Sequence, residues 1–338
     1  MKKPTATLYV VALLVLSGAL IFYLVRNDGA PPSRVVAGSD EASLPLIVND
    51  AQRLSIPNPT PSSNLPPRDT PLLYTIDQLK RLDAQGDAGA TCRLAAEYAF
   101  CAQLEGRREE FDRWLSEREQ TLDLISTPEA RSQLAQNIEL ESARRQARLG
   151  EIEKHCEGVE MADTREIVRL WQRSAHAGNP AAMKQYASGN AFRWNGILNV
   201  LQELDAYRKE AGPIATAAAQ RGDFDLVLML AASYSPHQIQ GGSLLAQAVK
   251  PDPARALALY RFAQGSLERN GHAERRIFKE VSRSIARLER DVNPDQLERA
   301  SRILTTELSS WTPPVIRGVE DLSSTGRFKD ADRDWCRR

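Results

Sequence analysis

The sequence predicts an all-α protein, and three observations carry that expectation. Long runs of Ala, Leu, Glu, Arg and Gln, the strongest helix formers, dominate the chain beyond residue 73. Capping residues followed by apolar side chains at i, i+3, i+4 spacing recur along it. Stretches of alternating β-branched residues, the mark of a half-buried strand, do not occur.

The helix starts can be placed in order. Asp77 precedes Leu79 and Leu82, and Thr127-Pro128-Glu129 opens a second segment. Asp163 precedes Ile167, Leu170 and Trp171. Asp252-Pro253 leads into Ala256, Leu257 and Tyr260, and Asn293-Pro294 into Leu297, Ala300 and Ile303-Leu304. Each pairs a side chain that can accept a backbone N–H with apolar residues on one face, often with Pro pre-set for the first turn.

Residues 6–25 are different in kind: twenty consecutive uncharged, largely apolar positions. At about 1.5 Å rise per residue they match a hydrocarbon core of about 30 Å. Lys2 and Lys3 precede the run and Arg26 alone follows before Asp28. The positive-inside rule therefore leaves residues 1–28 as a cytoplasmic stub plus anchor and exports the remainder. Ser17-Gly18-Ala19 offers small residues for a signal-peptide cleavage. The apolar run continues through Val25, however, which favours an uncleaved single-pass anchor. Asn58-Pro59-Thr60 is disqualified as a glycosylation site by its proline. The expected location is a bacterial inner membrane with the body in the periplasm, the alternative being cleavage and secretion to the periplasm.

Residues 29–72 read as a linker. Pro57, Pro59, Pro61, Pro66, Pro67 and Pro71 are interspersed with Ser, Asn and Thr, too polar to build a core. Such a segment reaches about 130 Å if extended and about 40 Å as a coil. Residues 73–338 form the helical body, with a charged helical insertion over 102–155. Phe111, Trp114, Leu115 and Leu122 give one helix of that insertion an apolar side, and Leu134, Ile138, Ala143 and Leu149 give it to the other.

Within the body a phrase repeats. Asp83-Ala84-Gln85-Gly86-Asp87, Ala175-His176-Ala177-Gly178-Asn179 and Ala219-Gln220-Arg221-Gly222-Asp223 each precede small or apolar residues at helical spacing. Gly ends one helix in a left-handed conformation, Asp or Asn caps the next, and Ala lets the two approach. The last two copies lie 44 residues apart. These residues resemble the Sel-like repeats, a tetratricopeptide-related α/α family. The match is fullest over residues 163–189, and residues 253–263 resemble the opening helix of another copy. The resemblance implies an α/α solenoid that scaffolds or binds other proteins of the cell envelope. The family's Tyr-x-x-Gly ending survives at Tyr186-Gly189, whereas Tyr98 leads to Cys101 and Tyr234 to His237.

The composition excludes several functions. With 44 Lys+Arg against 44 Asp+Glu, the chain lacks the basic excess that nucleic-acid binding requires. Four scattered His and four Cys suggest neither a metal site nor a cofactor, and no HExxH, Walker-type or GxSxG motif occurs. His155-Cys156 as a base–nucleophile pair lacks an orienting carboxamide or an oxyanion loop. Glu97, Asp163 and other helix-borne carboxylates are those through which an envelope enzyme acting on glycans, the alternative function, would work. The expectation is a binding protein, not an enzyme. Trp194, Phe192, Tyr186 and Tyr234 are the candidate partner-binding aromatics, with burial in the core as the alternative for each and Trp194 the preferred exposed contact. Oligomeric state is not encoded in any motif.

Outside the cytoplasm Cys92, Cys101, Cys156 and Cys336 become disulfide candidates, reduced thiols being the alternative. Cys92 and Cys101 on one helix sit about 13.5 Å apart along it, beyond bridging distance. Cys101–Cys156 would fasten the base of the insertion. Cys336 could pin the tail, with Cys92 as its remaining partner, although an open solenoid would hold those two apart.

Overall fold

The computed structural model describes residues 56–58, 64–67, 69–237, 243–314, 316 and 336. Among them 77% are helical and none forms a strand, so the all-α expectation holds. No described helix is long and apolar enough to cross a membrane, and residues 6–25 lie outside the described set.

Twelve α-helices follow in order among the described residues. They are α1 (Leu72–Ala84), α2 (Ala88–Cys101), α3 (Leu104–Leu124), α4 (Pro128–Cys156), α5 (Thr164–His176) and α6 (Pro180–Ala187). After a 3-10 segment (Trp194–Val200) come α7 (Leu201–Gln220), α8 (Phe224–Tyr234), α9 (Leu244–Ala248), α10 (Pro253–Arg269), α11 (Arg276–Asp291) and α12 (Pro294–Arg302). The first helix starts at Leu72 rather than Asp77, because Leu72 and Ile76 are already buried core residues. Three of the other four expected starts are side-chain caps, whereas Thr127 precedes Pro128 at the start of α4 without a side-chain cap bond. Asp163 accepts from the Glu166 N–H and Asp252 from the Arg255 N–H, and Asn293 and Gln296 form a reciprocal capping box.

The repeated phrase folds the same way three times. Gly86, Gly178 and Gly222 take φ of 83°, 83° and 92°. Asp87, Asn179 and Asp223 then cap α2, α6 and α8 by accepting the N–H of Ala90, Ala182 and Leu226. Each turn joins two antiparallel helices, and these pairs pack in chain order. Helix α1 lies against α2, α2 against α5, α5 against α6, α6 against α7, α7 against α8, α8 against α10, and α10 against α11 and α12. One continuous core results, with Trp171, Tyr186, Tyr207, Met183 and Leu230 fully buried within it.

The charged insertion is a helical hairpin. Helix α3 has no buried residue and α4 has only Ile152. Phe111 stacks on Trp114, Arg145 lies 4.4 Å over the Trp114 ring, and Arg108 pairs with Glu153 at 2.6 Å. Leu115, Leu122, Leu134, Ile138 and Leu149 are half-buried along the seam as expected, whereas Ala143 is exposed on the outer side. The hairpin meets the body at its base, where α4 packs on α1 and α2. It is therefore an arm, held at one end.

The segment expected to be a free linker is attached to the body at its end. Within the Pro-rich stretch, Ile56 and Leu65 pack against the core and Pro66 is buried. Arg221 donates to the carbonyls of Ile56 and Pro57 at 2.6 and 3.0 Å. Gly178 makes room for that contact, since a Cβ there would sit 2.1 Å from the Pro57 carbonyl oxygen. Toward the C-terminus, the Thr312 N–H donates to Gln220 O at the α7–α8 turn. Cys336 returns to the first hairpin and is bonded to Cys92, with Cα atoms 5.5 Å apart. The second disulfide, Cys101–Cys156, joins the end of α2 to the end of α4.

Candidate partner-binding surface

Two of the four candidate aromatics, Tyr186 and Phe192, are core. Tyr186 and Phe192 are buried with Tyr207, ring centroids 5.0 to 6.2 Å apart in tilted and edge-to-face contacts. The Tyr207 hydroxyl donates to Ala187 O at 2.9 Å. That of Tyr186 donates to Glu210 Oε2 at 3.3 Å. A buried tyrosine needs a partner for its hydroxyl, and both have one. Burial drives the phenol pKa of both well above its ordinary value, with the nearby Glu210 carboxylate adding to the effect on Tyr186. Tyr207 was missed in the sequence because it lies in a polar stretch of α7, and only the fold places it between the other two rings.

Glu210 is the polar hub under this cluster. It also accepts from Gln172 at 2.9 Å and meets His176 Nε2 at 2.9 Å. Burial pushes its pKa up, but the bonds from His176 and Gln172 outweigh that and hold the carboxyl below its usual value. Tyr234 is half-buried, with the Arg255 guanidinium 5.8 Å from its ring centroid. That guanidinium is held in a two-pronged pair with Glu307 at 2.9 Å on each arm. Trp194 opens the 3-10 segment, and its side chain lies outside the described set.

That same segment nevertheless carries exposed apolar surface. Leu198 is 78% and Leu201 57% exposed, three positions apart where the 3-10 segment runs into α7. The side chain of Arg165 fixes the segment from α5 by donating to Asn199 O at 3.1 Å. Arg165 and Arg169 then converge on the buried Glu203 carboxylate at 3.7 and 2.9 Å. Two presented leucines rimmed by half-exposed guanidinium groups have the composition of an interface core with a polar edge. Leu198 and Leu201 were missed in the sequence, since a leucine within a helical period reads as core.

The chemistry weighed for catalysis is otherwise occupied. Asp163 serves as a helix cap, accepting from Glu166 N at 2.7 Å. Glu97 is buried and uses both oxygens, with Arg93 Nε at 2.6 Å and His155 Nε2 at 2.8 Å. Cys156 is bonded to Cys101, so the neighbouring His155 has no thiol there to activate. Among the described residues no three His, Cys, Asp or Glu side chains converge as metal ligands. No family model, curated protein or solved structure matches the chain.

Proposed function

We propose that this chain is a single-pass, membrane-anchored protein of the bacterial cell envelope whose periplasmic α/α-repeat body scaffolds or binds a partner protein. The presented pair Leu198 and Leu201 carries this reading: both are exposed, three positions apart, where the 3-10 segment meets α7, although Leu73, Tyr74, Leu124 and Leu140 are exposed elsewhere on the body. The three matching Gly–Asp/Asn turns and helix pairs packed in chain order support the Sel-like repeat architecture. Two disulfides support an oxidising compartment, and the uncharged run at 6–25 supports an anchor.

The test is a Leu198→Ser/Leu201→Ser double variant of the full chain, crosslinked in intact cells beside the unaltered protein. The captured partner should fall by about 30-fold, the effect of losing about 2 kcal/mol at an interface centre, while the melting temperature holds. Undiminished capture of the same partner contradicts this surface.

A further inference from the structure

The two disulfides sit in opposite environments. Cys92 on α2 and its partner Cys336 are 0% and 2% exposed. Cys101 is 6% exposed, but its partner Cys156 is half-buried and lines an open cleft at the base of the arm. Leu104 and Arg108 from the first turns of α3 form one wall, and Gly150, Glu153, Lys154 and Glu157 form the other. A Cβ built on Gly150 would meet nothing within 4 Å, so that side is unobstructed. Arg108 and Lys154 are balanced by Glu153 and Glu157, which leaves the cleft without preference for a charged reagent.

We propose that Cys101–Cys156 is a thiol–disulfide exchange site, attacked at the Cys156 sulfur by the thiolate of a dithiol that enters this cleft. The attacking sulfur forms a mixed disulfide with Cys156 Sγ, the Cys101–Cys156 bond breaks, and Cys101 leaves as a thiolate that takes a proton from water. The second thiol of the reagent, as its thiolate, then attacks the reagent sulfur of the mixed disulfide. That step releases Cys156 as a thiolate and closes the reagent into its own disulfide. Two electrons pass from the dithiol to the protein, and the reverse sequence restores the bond. The buried Cys92–Cys336 pair offers no such approach, since exchange requires access to a sulfur. Once Cys101–Cys156 opens, buried Ile152 and the His155–Glu97 contact still hold the arm's base, so exchange changes its covalent anchoring without unfolding the body.

The experiment treats the native full chain with dithiothreitol, quenches with N-ethylmaleimide and maps the labelled cysteines by mass. Cys101 and Cys156 should be labelled at least about 100-fold faster than Cys92 and Cys336, with helical circular dichroism unchanged. With 2-mercaptoethanol, the trapped adduct should sit on Cys156. A Gly150→Leu variant, which fills the cleft with a good helix former, should slow labelling about 10-fold or more. Opening of both disulfides together and only with loss of helix, earlier opening of Cys92–Cys336, or an adduct on Cys101 would overturn the proposal.

Discussion

Replacing Glu97 by Ala should destabilise the body by about 3–5 kcal/mol, read as a lowered urea midpoint with an unchanged slope. Arg93 and Glu97 are both buried on α2, four residues apart and 2.6 Å from each other. Removing the carboxylate takes a 2.6 Å ion-pair partner from the buried Arg93 guanidinium and the 2.8 Å contact that joins α2 to His155 on α4. Desolvation decides the size of the effect. An exposed pair such as Lys209–Asp205 contributes at most about 1 kcal/mol, because water already solvates both ions. An Arg93→Met/Glu97→Leu double variant should therefore cost less than Glu97→Ala alone, since it removes both charges from the core together. A single-variant loss below about 1 kcal/mol would contradict the burial of this pair.

The second large effect belongs to the tail. Cys336→Ala opens a covalent ring spanning 244 positions and should cost up to about 5 kcal/mol by chain entropy. Cys101→Ala opens one spanning 55 and should cost about 4 kcal/mol. Loop length is not the only difference. Loss of the bond also loosens the contact of buried Cys336 with Asn179, whose Nδ2 lies 3.5 Å from Cys336 O. The arm keeps Ile152 and His155 at its base without the Cys101–Cys156 bond. Denaturant midpoints of the two variants check the order, and a Cys336→Ala protein as stable as the unaltered one would contradict the clasp.

Features set by neighbouring residues were legible in the sequence. The Gly–Asp/Asn turns depend on a backbone conformation and a cap within five residues, and all three formed as read. The insertion expected over 102–155 became α3 and α4, because its apolar seam and the Thr127-Pro128 break are local signals. Cys101–Cys156 followed from the two cysteines bracketing that insertion.

What stayed hidden depends on distant chain. The Pro-rich stretch reads as solvated by composition, yet Ile56 and Pro57 find an arginine more than 160 positions away to satisfy their carbonyls. Cys92–Cys336 conflicted with an extended stack of helices, because the tail's return past Gln220 and Asn179 has no sequence signature. Tyr186 and Phe192 could be read as core or as groove contacts, and only the packing of Tyr207 and the Glu210 carboxylate against them shows that they are core. Leu198 and Leu201 are the reverse, apolar residues that the fold leaves uncovered.

Peptide mapping of the unreduced full-length protein, taken from its native envelope, tests the central claim most directly: an exported helical body fastened covalently at its tail and at its arm. The account predicts two linked peptide pairs, Cys92 with Cys336 and Cys101 with Cys156, and no free thiol in the unreduced protein. Four free thiols, or Cys336 linked to any residue but Cys92, would contradict both the packing of the tail and the compartment inferred from it.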